Sequence, residues 1–250
     1  MKFLLPFLFF ALSVTAEPLL AQFEGKVEYR ITTPENPDDE PGNFYLTFTK
    51  NRLFIQSDNE MNVMSGLNTN GVLVRSDQND FIFITGPDEA LQINKDDIDG
   101  LVSMMNRVQG NSGNSGGESF NWNERVEETG NTQRLHGYET SEFILKGEAP
   151  GEYVSVWLTD QIKVDWGLLQ KTWDDVGSNQ MDSEIPVEMV MNRNSFPLLV
   201  EAYEDDRLVM RAESIVVESR NFDRSVTEIP SGVKLMGFSD LMMNMFRQRR

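Results

Sequence analysis

Residues 137–173 read GYETSEFILKGEAPGEYVSVWLTDQIKVDWGLLQKTW, and this stretch decides the fold. Two strand-like runs, Tyr138–Lys146 and Tyr153–Thr159, flank the turn former Gly147-Glu148-Ala149-Pro150-Gly151. Side chains alternate across a strand, so Val154, Val156 and Leu158 point one way while Tyr153, Ser155, Trp157 and Thr159 point the other. Asp165 is a helix N-cap residue type, and Trp166, Leu169, Trp173 and Val176 behind it share one side at spacings of three and four. The expectation is a pair of strands with one aliphatic and one aromatic face, followed by a helix over Asp165–Val176 that covers one of them.

The same pattern extends outward in both directions. Phe23–Thr33 alternates Val27, Tyr29 and Ile31 against Lys26, Glu28 and Arg30, the signature of a half-buried strand. After the acidic loop Pro34–Gly42, Phe44, Leu46 and Phe48 alternate with Tyr45, Thr47 and Thr49, and Lys50-Asn51 turns the chain into Arg52–Ser57 as a hairpin. Short runs at Gly71–Ser76, Phe81–Thr85 and Ala90–Ile93 read as an antiparallel meander. Further strands are expected at Ile185–Met191, Phe196–Glu204 and Leu208–Glu218, the last two joined by Asp205-Asp206. Helices are expected at Asp96–Val108, Asp165–Val176 and Ser239–Arg249, and Gly110–Ser119 is so rich in Gly, Asn and Ser that it reads as a flexible loop. The count is about eleven strands with two or three helices, a mainly β (α+β) chain with no internal repeat.

Lys2, the apolar run Phe3–Val14 and the small residues Ala16 and Ala21 follow the order of a secretory signal peptide, and the run is too short to span a bilayer. Residues 1–21 are read as an export signal, with cleavage after Ala16 as the other option, and 22–250 as one β-rich domain with no transmembrane segment. The protein is expected in the periplasm or outside the cell. The chain has no cysteine, hence neither a disulfide nor a thiol for a lipid anchor. Its formal net charge of −18 argues against nucleic acid and anionic lipid surfaces as partners and fits an acidic protein kept soluble by repulsion.

No residue set announces a reaction. Gly113-Asn114-Ser115-Gly116-Gly117 fits G-x-S-x-G literally, yet a nucleophile elbow needs an apolar strand before the serine and a helix after it, and this match lies in low-complexity sequence. The single histidine, His136, sits in a polar turn and reads as a solvated loop residue. Asp97, Asp99 and Gly100 recur as in a calcium loop, but Lys95 and Asn106 occupy the first and twelfth places, where acids are needed. Asp174-Asp175 and Asp205-Asp206 are neighbours in helix-end or turn contexts and read as turn formers. No catalytic residue, metal site or cofactor is expected.

Gly25-Lys26-Val27-Glu28-Tyr29, Lys50-Asn51-Arg52-Leu53, Asp77 to Phe83, Gly137-Tyr138 and Val156-Trp157-Leu158-Thr159 occur in an order that resembles exported bacterial proteins of the domain of unknown function 4412 family. More distantly the plan is similar to the periplasmic lipoprotein carrier and receptor fold. The resemblance implies a curved antiparallel sheet wrapped partly around helices as an open half-barrel, and the carrier likeness implies binding of acyl chains on its concave side. Large apolar surfaces dominate such cavities, which makes Tyr153, Trp157, Trp166, Trp173, Met242, Met245 and Phe246 the candidate lining. The expected function is non-enzymatic binding of a lipid or acylated ligand; the alternative is an envelope interaction module with a filled core that binds a protein partner.

Overall fold

The computed structural model describes residues 22–34, 42–64, 67–98, 100, 125–147, 149–170 and 195–240. The expected signal peptide, the loop Gly110–Ser119, the strand Ile185–Met191 and most of the three expected helices lie outside the described residues. Lys95–Ile98, Gly167–Gln170 and Phe238–Asp240, at the start of those helices, are helical.

Among the described residues, twelve strands form one open sheet: β1 Gly25–Thr32, β2 Gly42–Thr49, β3 Arg52–Met64, β4 Leu67–Arg75, β5 Asp80–Ile84, β6 Glu89–Asn94, β7 Val126–Leu135, β8 Tyr138–Lys146, β9 Tyr153–Thr159, β10 Phe196–Glu204, β11 Arg207–Glu218 and β12 Lys234–Gly237. The order across the sheet is β12-β6-β5-β4-β3-β2-β1-β11-β10-β9-β8-β7. Every pairing is antiparallel except β12 against β6, which is parallel. The mainly β open half-barrel is therefore observed, with one parallel edge that the sequence patterns do not predict.

Alternation sorts the side chains onto two faces. Val27, Leu46, Ile55, Val72, Phe83 and Leu91 stand opposite one another across six strands. With Phe48, Leu53, Val74, Phe81 and Ile93 they belong to the principal core. β2 and β10 are separated by β1 and β11, a spacing of about 14 Å in a flat sheet. Yet the rings of Phe48 and Phe196 meet at 5.8 Å. Only curvature toward this face brings them together, so this face is concave. Tyr29 ties the curl down by donating from its hydroxyl to the Pro197 carbonyl at 2.5 Å, and burial drives its pKa upward, which keeps the donor protonated.

Phe48 sits at the centre of the core, 1% exposed. Phe23, Trp166 and Phe196 pack edge-on against its ring at 6.2, 5.6 and 5.8 Å. Phe48→Ala removes the ring on which all three converge, and the unfolding free energy measured by urea denaturation is expected to fall by about 3 to 5 kcal/mol.

Candidate functional site

The predicted ligand-binding residues divide between the two faces. Trp166 lies on the concave side, stacked on Phe196 at 6.0 Å, and its indole Nε1 is buried with no hydrogen-bond partner. The carboxylate of Asp165 accepts from the Gly167 amide at 2.8 Å and opens the helical turn that carries Leu168 into the core, so Asp165 caps as its residue type suggests. Ile162, Leu168, Phe196 and Leu198 are each 3% exposed or less. Together with Trp166 they occupy the part of the concave side that adjoins Phe48.

Tyr153 and Trp157 are half-buried on the opposite, convex face. The rings of Tyr153 and Tyr203 stack at 4.5 Å across β9 and β10. Trp173, Met242, Met245 and Phe246 lie outside the described residues, so the cavity expected between these aromatics and Trp166 is not formed by the residues that can be placed.

The convex side of β8–β11 carries a polar network. Glu142 accepts from Asn131 and Ser155 at 2.7 Å and from Thr129 at 2.9 Å. Burial pulls its carboxyl up, but those three donors outweigh it and hold the group below the ordinary carboxylate range. Arg211 bridges Glu201 at 2.6 Å and Glu213 at 3.1 Å. Burial, with Glu201 alongside, pushes the Tyr203 hydroxyl up to about 12. This network of hydrogen bonds and ion pairs orders the convex side of the sheet.

His136 occupies a turn with φ 50°, exposed as expected, and its Nε2 lies 2.6 Å from the Ser214 carbonyl. Asp205 and Asp206 both take positive φ, 50° and 59°, consistent with their reading as turn formers. Among the described residues no group of three or more His, Cys, Asp or Glu is placed to hold a metal ion.

A second apolar surface stands on the convex side of β3–β6. Phe54, Leu73 and Ile82 face one another across three strands, with Ile84 and Ala90 beside them. The segment after β11 returns over this surface before β12 pairs with β6, and Ile229 and Val233 of this strap pack against Leu73, Ile82 and Ala90. Gly71 has a steric role here, because a Cβ at that position would lie 2.8 Å from the Phe54 ring, which rests across β4.

The strap is held by polar ties at its first half. Asp223 caps a short 3-10 turn, Arg224–Thr227, by accepting from the Ser225 amide at 2.8 Å. Thr227 is 2% exposed and its hydroxyl lies 3.4 Å from that of Thr49. Arg52 is the hub: its Nη1 donates to the Thr227 carbonyl at 3.1 Å and to Glu228, and its Nε and Nη2 grip Asp77 at 3.2 and 3.0 Å. Arg224 pairs with Glu24. Beneath the strap lies a groove of about 600 Å³ lined by Phe54, Leu73, Ile84, Val226, Ile229 and Pro230, with Gln56, Ser225, Glu228 and Ser231 on its rim. Val226 and Leu235 are the exposed large apolar residues among those described, and both belong to this returning segment. Sequence reasoning misses this site, although Val72-Leu73-Val74 and Phe81-Ile82-Phe83, apolar on both sides of their strands, carry the signal for a second cover.

Two other hollows are shallower in chemistry. One of about 520 Å³ is polar and flanks Glu139, Ser141 and Asp160 at the β8–β9 end. The other, about 430 Å³, surrounds the Gly147–Gly151 turn beside Tyr153. No described helix is long and apolar enough to cross a membrane.

No protein-family model matches the chain, and no curated protein matches it. Among solved structures it is similar to PNGF-II in two crystal forms. The form in space group P21 is 8% identical, with a TM-score of 0.43 over 91% of this chain and 34% of that one. The form in C2 is 9% identical, with a TM-score of 0.44 over 91% of this chain and 33% of that one. The chain thus spans about a third of the length of the structures it matches, and likeness at that level leaves the function to this chain's own residues.

The hub makes the strap sensitive to acid. The hydrogen bond from Arg52 is the main cause holding the Asp77 carboxyl below the ordinary carboxylate range, against a smaller upward pull from burial. A depressed carboxylate stabilises the fold above its unfolded pKa and ceases to do so as pH falls through its folded one. Protection factors of residues 222–233, with the intrinsic pH dependence of exchange divided out, are expected to fall in that acid window. Asp77→Asn should already show low protection at neutral pH, with a smaller further fall on acidification.

Proposed function

We propose that this protein is a non-enzymatic, exported envelope protein that holds a hydrophobic ligand, a lipid or an acyl chain, in the convex groove between β3–β6 and the strap. The groove carries the reading: about 600 Å³ is the size of a small-molecule site, and the lining is mainly aliphatic and aromatic. The location departs from the concave hollow of a lipoprotein carrier, because Trp166, Ile162 and Leu168 pack into the concave core beside Phe48. The leader-like residues 1–21 support export.

A second reading is an interaction module that meets a protein partner through the convex face around Tyr153, Trp157 and Tyr203. Half-buried aromatics beside the Arg211 ion pairs favour it, since such anchors enrich interfaces.

The two readings separate in one experiment. N-phenyl-1-naphthylamine, an uncharged apolar dye, is expected to bind the purified protein and fluoresce. Val226→Asp sets a charge in the groove wall and should weaken binding about tenfold or more. Trp157→Ala should leave it unchanged. Native mass spectrometry of protein taken from its own envelope should show a lipid adduct. Absence of both dye binding and adduct removes the ligand reading.

A further inference from the structure

The groove's rim also constrains the head of its ligand, a constraint that rests on the groove being a ligand site at all. Of the residues lining the groove only Glu228 is ionisable. The cation beside the groove among the described residues is Arg52, and each of its three nitrogens is engaged: Nε and Nη2 are bound to Asp77, and Nη1 to the Thr227 carbonyl and Glu228. An arginine has five N–H donors in a fixed fork, and with every nitrogen committed there is no bidentate face left for an incoming carboxylate or phosphate. Arg75, on the same side of β4, is bound in the same way to Asp80 at 2.7 and 2.5 Å, with Gln92 completing the pair. Arg224 is paired with Glu24 and lies over the Phe222 ring at 4.7 Å. Lys234 is in register with Glu89, one residue from Leu235 and hence on the opposite face of β12.

Among the described residues, an anionic head would therefore enter beside a carboxylate without an uncommitted counter-charge, since Lys26 on the same face is paired with Glu28, on a chain of formal net charge −18. The uncharged rim groups are of another kind. Gln56 offers an amide that both donates and accepts, and Ser225 and Ser231 offer hydroxyls. Ser225 already donates to Asp223 at 2.7 Å, which leaves its oxygen lone pairs available as acceptors.

We infer that the groove selects an amphiphile with a single apolar chain and an uncharged, hydrogen-bonding head of the hydroxyl, ester or amide class, and discriminates against fatty-acid anions. Chain burial supplies the affinity, and the rim supplies the preference. Glu228 matters twice: it repels an anion directly, and it occupies the Arg52 donor that an anion would otherwise take.

Three probes with matched chains test this by calorimetry below their micelle concentrations at pH 8: monolauroylglycerol, dodecanoate and dodecyltrimethylammonium. The glyceride is expected to bind about tenfold or more tightly than dodecanoate, with dodecyltrimethylammonium weaker than the glyceride. Glu228→Gln should improve dodecanoate binding several-fold while changing the glyceride little. Dodecanoate binding as tightly as the glyceride overturns the head-group assignment and leaves the groove standing. Dodecyltrimethylammonium binding most tightly overturns it as well, since charge would then be the discriminator. If none of the three binds, the groove reading itself fails. Residual dye binding by Glu228→Gln shows that the variant is folded and separates a lost preference from a lost site.

Discussion

A sheet that is apolar on both faces has to be covered twice, and the rest of the molecule is shaped by that constraint. In β3–β6 the concave row Leu53, Val74, Phe81 and Ile93 lies back to back with the convex row Phe54, Leu73 and Ile82. Each buried side chain of this kind is worth about 1.5 to 3 kcal/mol relative to exposure, so neither face can be left to water. Curvature solves the first face, by folding the sheet around Phe48, Phe196 and Trp166. The second face needs another piece of chain, and the segment following β11 supplies it.

That second cover is made differently from the first. The concave core around Phe48 is closed by large rings in mutual contact. The strap packs Ile229 and Val233 against the sheet, with Val226 and Pro230 in the groove wall, and it is fastened by polar ties at Arg52, Asp77 and Thr227. Polar ties at a half-exposed surface hold position at modest free energy. A cover fastened at its first half, lying over an incompletely filled apolar surface, is compatible with admitting a ligand where a packed core is not. Pairing β12 in parallel with β6 closes the far end of the strap, and the bond from the Lys234 amide to the Asp88 carbonyl at 2.8 Å fixes where that strand begins.

Much of the frame is legible in the residues. The alternating strands β1, β8, β9, β10 and β11 lie within a residue or two of the periodic runs, because one polar and one apolar face leave a period of two that survives any tertiary context. The split of Tyr153–Thr159 into an aliphatic and an aromatic face is also observed. Which face each cover takes does not show in the sequence. Size and closeness along the chain group Tyr153, Trp157 and Trp166 as one lining, yet the loop after β9 turns Trp166 inward while the strand holds the two others outward. The strap cannot be read from periodicity, since Phe222–Val233 has none, and β12 is four residues that merge with the Met-rich segment behind it. The late half of β3, Asp58–Met64, is hidden for a related reason: its polar residues pair with β4 only after register shifts at Met61 and Met64.

Where the proposed ligand would sit is the decisive point. A spin-labelled, uncharged dodecyl probe added to methyl-labelled protein would report this by paramagnetic broadening in NMR. Methyl signals of Leu73, Ile84 and Ile229 on the convex side are expected to broaden, while those of Val27, Val156 and Leu198 on the concave side stay sharp. Broadening centred on Val27, Val156 and Leu198 would contradict a convex site, because it would place the passenger on the concave side.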